Sequence, residues 1–375
     1  MKHKRLYVFG FNVLVLVSLL WPATVASAAK LSLRVTSIKL AAHAAKFTAR
    51  YFAPYDYINP ASGDFVQAAQ QTGVKYYTLA FILSSGGCQA TWLGEAGNAV
   101  GGSSASDSIK ANINQLRQLG GDVIISFGGY GGTELARACP DAASLQQQYQ
   151  KVIDEYGVSH LDFDIEGDSE TNQASIDLRS QAIAGLEKAN PGLTVYYTLS
   201  IEVPNLHLRA PQILKSAKKN KVRIDVVNVM TMDYTPNIAP DKMGKNAIQS
   251  VQNVKKDLIS IGIQAQIGIT SMIGVNDHSP EVFTSKDAQQ VLDYANKDIN
   301  VAELSMWSLG RDTACPGGTT GGSASPSCSG VEQQQYSFLN LFSKFTGNLK
   351  KPIPVAKPKP KLQPKPQPKL KPQPT

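Results

Sequence analysis

Eight runs rich in Val, Ile, Tyr and Phe recur between residues 47 and 309, too short for helices and bounded by Gly, Pro, Asn or Ser. They are Phe47 to Tyr57, Tyr76 to Ser84, Asp122 to Phe127, His160 to Glu166, Thr194 to Glu202, Val226 to Tyr234, Gln264 to Ile273 and Val301 to Leu309. Segments with apolar residues at helical spacing lie between them. The clear ones are Ser106 to Leu119, Ala143 to Tyr156, Gln173 to Ala189, Asn246 to Ile261 and Ser285 to Ala295, with Val331 to Phe345 closing the series. Strands apolar on both faces need helices on both sides or around them, and right-handed crossovers keep such strands parallel. The expected fold is therefore α/β, a (β/α)8 TIM barrel, in which chemistry gathers at the carboxyl ends of the strands.

The fourth run reads His-Leu-Asp-Phe-Asp-Ile-Glu, so Asp162, Asp164 and Glu166 alternate with Leu161, Phe163 and Ile165. A period of two places the acids on one face and the apolar groups on the other. Three carboxyls on one strand face repel each other and lose hydration, which raises at least one pKa and leaves a proton to donate near neutrality. A calcium loop or a solvated acidic edge would carry similar acids, but the large apolar residues between them argue against a flexible oxygen-ligand loop. Other strand ends hold further candidates. Ser126 to Tyr130 includes Gly128 and Gly129, which permit tight turns and close approach of a ligand or simply turn a strand into a loop. Met230 to Tyr234 ends the sixth run and includes Asp233. Trp307, in the eighth, offers an indole face on which a sugar ring could stack.

Composition divides the chain. Met-Lys-His-Lys-Arg, an apolar run from Leu6 to Trp21 and then Ala26-Ser27-Ala28 fit a secretory signal over residues 1–28, too short and wrongly flanked for a comfortable membrane span. Residues 29–46 read as a spacer, residues 47–348 as one catalytic domain, and residues 349–375 as a Lys/Pro-rich tail that builds no core. The tail reads as a solvated linker or as a strand of spaced charges able to touch an anionic cell wall. The formal charge of +8 misleads, because eight lysines lie in the tail and Lys2, Lys4 and Arg5 in the leader, with no acid in either. The body between is net negative, so no nucleic-acid surface is expected. Four cysteines in an exported chain suggest two disulfides out of three possible pairings. Cys315 with Cys328, closing a Gly/Ser/Thr-rich loop, and Cys88 with Cys139 are favoured over free buried thiols. No cysteine and histidine spacing suits zinc.

Taken together, these positions resemble glycoside hydrolase family 18, the chitinases. The resemblance spans the barrel. S-x-G-G falls on Ser126 to Gly129, D-x-x-D-x-D-x-E on Ser159 to Glu166, M-x-x-D on Met230 to Asp233, and the eighth-strand Trp on Trp307. It implies that Glu166 protonates the glycosidic oxygen and later deprotonates the attacking water. It further implies that Asp164 orients the substrate's N-acetyl group, whose oxygen attacks the anomeric carbon, and that Asp162 holds or shares charge with Asp164. Such substrate assistance retains configuration, needs no metal or other cofactor, and restricts substrates to 2-acetamido sugars. Two positions depart from the family pattern: Ser159 replaces its first Asp, and Met232 stands where many members carry Tyr, with Tyr234 following Asp233.

The resemblance makes Gly128, Gly129, Met230, Asp233, Tyr234 and Trp307 candidate substrate contacts. Many members insert an α+β domain between strands 7 and 8, whereas Gly274 to Asn300 leave room for little beyond a helix. A shallow open cleft and endo-type, nonprocessive cleavage follow. The expected protein is a secreted, monomeric chitinase acting on chitin or N-acetylglucosamine oligosaccharides. The alternatives are an endo-β-N-acetylglucosaminidase on glycoprotein or cell-wall glycans, and a non-catalytic chitin-binding lectin.

Overall fold

A computed structural model describes residues 47–234, 238–318 and 322–345. The expected signal, spacer and Lys/Pro tail, with residues 346–348 before the tail, lie outside the described residues. Eight strands form the sheet: β1 in two pieces, Tyr51–Phe52 and Tyr55–Tyr57, then β2 Tyr76–Ser84, β3 Asp122–Gly128, β4 His160–Ile165, β5 Thr194–Leu199, β6 Val226–Met230, β7 Gln266–Met272 and β8 Val301–Trp307. Every neighbouring pair among these eight is parallel, and a short strand, Ala90–Trp92, joins the sheet antiparallel to β2. The ring closes through β1, whose first piece pairs with β8 and whose second pairs with β2. Pro54, which has no N–H to donate, divides the expected continuous strand at the changeover. The Ala53 N–H still reaches Leu304 O at 2.9 Å, and Pro54 O accepts from Thr78 at 3.0 Å.

Helices follow the strands in order: α1 Asp64–Thr72, α2 Ser104–Gln118, α3 Ala142–Tyr156, α4 Gln173–Ala189, α5 Pro211–Lys219, α6 Met243–Ile261, α7 Ser285–Lys297 and α8 Ser337–Phe342. Local chemistry sets several starts, with Ser103, Asp141 and Asn172 as side-chain caps and a Thr284/Asp287 capping box on α7. The short α1 and α5 add to the helices expected from the sequence, burying Phe65, Val66 and Ala69 and Ile213, Leu214 and Ala217. The expected helix from Val331 shortens to α8, because Tyr336 turns left-handed at φ 60° and the Asp312 carboxylate takes the Phe338 and Leu339 N–H groups at 3.1 and 2.7 Å. Strands β5 and β6 also end early, at Leu199 and Met230. Beyond β5 a small hairpin pairs Ile201–Glu202 with His207–Leu208.

Alternation sorts the core. Leu161, Phe163 and Ile165 of β4 face the helices and join a continuous apolar shell, while Asp162 and Asp164 point into the barrel. The barrel floor is apolar and aromatic: Tyr51, Tyr76, Ile124, Tyr196 and Val226 pack there, with Phe47 stacked on Tyr76 and His160. Above the floor lies a polar layer, and above that Tyr55, Ala80, Phe81 and Leu83 cluster with Trp307. Between β7 and α7 there is only a small hairpin of two-residue strands, Gly274–Val275 with Val282–Phe283, and no insertion domain. Both favoured disulfides are formed, Cys88–Cys139 and Cys315–Cys328. Among the described residues no helix is long and apolar enough to cross a membrane.

Candidate active site

A cavity of about 690 Å³ opens at the carboxyl ends of the strands, and Asp164 and Glu166 are in its wall. Asp162 lies beneath them as a buried anchor. Its Oδ2 accepts from Tyr55 Oη at 2.8 Å and Ser126 Oγ at 2.6 Å, and its Oδ1 from Thr198 Oγ1 at 2.7 Å. Burial pushes this carboxyl up to about 6, and the three hydroxyl donors pull against that rise by favouring the anion.

Asp164 is treated differently by the fold. It is 5 % exposed, and Oδ1 has no hydrogen-bond partner in the protein. Burial first, then the neighbouring Glu166, Asp162 and Glu170, hold it well above the carboxylate range. Glu166, one step past the end of β4, is pushed up to about 7, chiefly by burial and then by Glu170 and Asp233, with Arg209 opposing. The site therefore keeps a proton available close to neutral pH and presents an acceptor with no competing partner.

Two glycines allow this crowding. A Cβ on Gly128, at φ 101°, would stand 2.1 Å from Asp164 O, and one on Gly129, at φ 85°, would stand 2.6 Å from the Phe81 ring. Neither is in the cavity wall. They let β3 and its loop close over the carboxylate strand. Trp307 is in the wall, stacked on Phe81 with centroids 5.7 Å apart and planes at 18°, and Tyr55 and Tyr57 flank it at 5.9 and 6.1 Å. An aromatic floor beside paired carboxyls suits a pyranose ring beneath a general acid.

Residues 48–338 match the sequence profile of Glycosyl hydrolases family 18. The chain belongs to that family. It is 34 % identical over 319 residues to a probable bifunctional chitinase/lysozyme of Escherichia coli, covering 79 % of this chain and 34 % of that protein. It is 32 % identical over 280 residues to endochitinase 11 of Metarhizium anisopliae, covering 70 % and 52 %. The chain thus spans between a third and about half of these relatives' length. Among solved structures, the catalytic domain of a hyperthermophilic chitinase from Pyrococcus furiosus superposes with a TM-score of 0.69 at 32 % identity, covering 81 % of this chain and 97 % of that one. Catalytic-site mutants of active domain 2 of the thermostable chitinase from that organism, complexed with chito-oligosaccharides, give the same score at 33 % identity, covering 81 % and 96 %.

Within this family 18 barrel the remaining sequence candidates separate. Met230 and Asp233 line the cavity. Asp233 adopts φ 53°, and its Oδ1 takes the Asp277 and His278 N–H groups at 2.9 and 3.3 Å, tying the end of β6 to the β7–α7 loop. Tyr234 does not line the cavity. It is 1 % exposed in the apolar shell, its N–H donates to Glu281 Oε2 at 2.9 Å, and its hydroxyl lies 3.5 Å from Ser250. Met232 takes the place in the wall instead.

The structure adds Tyr55, Phe81, Glu170, Arg209 and His278 to the wall. Glu170 arrives through the single 3-10 turn Gly167–Glu170, and Arg209 through the β5 hairpin, neither of which leaves a periodic signal. Tyr55 alone was open to detection, as a polar-tipped aromatic near the end of a barrel strand. Among the described residues no three His, Cys, Asp or Glu side chains are grouped to hold a metal ion.

Proposed function

We propose that this family 18 chain is an exported chitinase that cleaves β-1,4-N-acetylglucosamine linkages with retention of configuration, using the substrate's own acetamido group. The observation that carries the reading is the pairing of Asp164, whose buried Oδ1 is free of protein partners, with Glu166, whose proton is held up to about 7. Asp164 Oδ1 can accept the acetamido N–H in either protonation state of the carboxyl. That contact turns the acetamido oxygen toward the anomeric carbon.

As that oxygen forms its bond to the anomeric carbon, the glycosidic bond breaks and Glu166 gives its proton to the leaving oxygen. The ring so formed is an oxazolinium cation, which the carboxyl pair stabilises electrostatically. Water then enters from the side the leaving sugar vacated, Glu166 takes its proton, and the acetamido group is released unchanged. Two inversions at one carbon return the original configuration. Asp162, fixed by three hydroxyls, keeps Asp164 in register beneath the sugar. Trp307 and Phe81 supply the stacking surface.

The two disulfides favour an oxidising destination and so support export. The short β7–α7 hairpin leaves the groove without a second wall from an insertion domain, which suits endo-type, nonprocessive cuts along a chain. Turnover of a chromogenic chitobioside and of chitin oligomers, lost in Glu166→Gln, tests the proposal. Oligomer binding without turnover by the wild type would make the protein a lectin. Glycan release from a high-mannose glycoprotein without oligomer cleavage would make it an endo-β-N-acetylglucosaminidase.

A further inference from the structure

Glu170 is a buried carboxyl in the cavity wall that the steps above leave without a task; it is only 4 % exposed. One 3-10 turn, Gly167–Glu170, brings it back beside Glu166, whose carbonyl accepts the Ser169 N–H at 3.1 Å. Two contacts from β5 and α5 fix it there. Ser200 Oγ donates to Glu170 Oε1, and Gln212 Nε2 donates to the Glu170 carbonyl at 2.8 Å. Ser200 also accepts, through its own carbonyl, the Arg209 N–H at 3.1 Å, so the residue that steadies Glu170 anchors the strand end carrying Arg209. A carboxyl and a guanidinium-bearing residue, the first held by the Ser200 hydroxyl and the second by the Ser200 carbonyl through its backbone, thus share the wall with Glu166.

We propose that Glu170 and Arg209 are opposed positioning residues for the hydrolysis, whose charges set how tightly Glu166 holds its proton through the two halves of the reaction. This rests on the hydrolase reading above. The acid must carry its proton when the glycosidic bond breaks and must take one from water afterwards. A nearby anion favours the first state and a nearby cation the second, so the pair keeps both within reach at one pH.

The other charges near Glu166 are Asp164 on its own strand and Asp233 beyond β6, while Asp277 and His278 of the β7–α7 loop line the same cavity. Asp168, on the intervening turn, is exposed and paired with Arg137 at 3.3 Å. Burial pushes Glu170 itself up to about 7, and Arg209 pulls it back toward the anion.

The test is the pH dependence of kcat/KM on a chromogenic chitobioside for the wild type, Glu170→Gln, Glu170→Asp and Arg209→Gln, beside carbon-13 NMR titration of the Glu166 carboxyl in the same proteins. Glu170→Gln should move the alkaline limb and the Glu166 titration down by about one pH unit, and Arg209→Gln should move both up. Glu170→Asp, which keeps the charge, should restore most of the shift. Two glutamine variants that titrate as the wild type does, or that shift in the same direction, would overturn the inference. Should Glu170→Gln not fold, Arg209→Gln decides alone, since Arg209 is exposed. A wild type inactive at every pH sinks the hydrolase reading, and the NMR titration still judges this one.

Discussion

Asp162 and Asp164 enter the same barrel from one strand, yet the first is held by three hydroxyl donors while Oδ1 of the second meets no protein group. The fold anchors one carboxyl and withholds partners from the next. Opposite responses to substitution should follow. Asp164→Asn removes a buried carboxyl from beside Glu166 and should lower kcat on the order of 100-fold while leaving Tm equal or higher. Asp162→Ala takes the acceptor from Ser126 and leaves the Tyr55 and Thr198 hydroxyls only each other and Asn228, and should cost about 1–3 kcal/mol of stability. Kinetics together with thermal unfolding of the two variants checks the contrast.

Gly128, the last residue of β3, and Gly131, in the loop beyond it, should respond differently to a methyl group. Gly128→Ala drives a methyl against Asp164 O and fixes an L residue at φ 101°, so loss of about 3 kcal/mol or more is expected, with activity falling as β4 shifts. Gly131→Ala meets nothing within 4 Å and should change stability by less than about 0.5 kcal/mol. Urea unfolding of both variants measures the difference.

Glu281 should give the protein a stability that falls as pH rises. Burial pushes its carboxyl up to about 8, with Asp233 adding to the rise and the Tyr234 N–H opposing it. Its folded value exceeds the unfolded one, near ~4.3, so its contribution is complete below the unfolded value and is lost as pH climbs through about 8. Glu281→Gln keeps an acceptor for Tyr234 and removes the charge. Its Tm should exceed that of the wild type at pH 8, and the gain should vanish below the unfolded value.

The disulfides should differ in worth. Cys88–Cys139 spans 51 residues and Cys315–Cys328 spans 13. Loop-closure entropy then favours the first by about 1 kcal/mol, within a total of about 3–4 kcal/mol each. Pairwise Cys→Ala variants compared by denaturant unfolding should show the larger loss for Cys88 and Cys139.

How much of this was legible in the sequence depends on the range of the forces involved. The β4 alternation fixed which side of the strand the acids occupy, because a one-residue slip would bury Asp162 and Asp164 among the helices and turn Phe163 inward. The order of strands and helices was equally readable, as burial on both sheet faces is written in local composition. Tyr234 was not. The left-handed turn at Asp233 breaks the alternation that Met230 and Met232 follow, so that Asp233 meets the cavity and Tyr234 enters the core. Glu170 and Arg209 were hidden for a related reason: a single turn and a short hairpin carry them to Glu166, and neither leaves a repeating signal. The break of β1 at Pro54 shows the local limit, since one missing N–H decides where a strand changes partner.

In the proposed mechanism the acetamido group, oriented by Asp164, makes the first attack while Glu166 moves the proton. Time-resolved proton NMR of chitin oligomer hydrolysis tests it most directly, read at the anomeric signals before mutarotation. Newly formed reducing ends should appear first as the β-anomer in the wild type and be undetectable in Glu166→Gln. First appearance of the α-anomer, or hydrolysis by Glu166→Gln at the parent rate, would contradict the account.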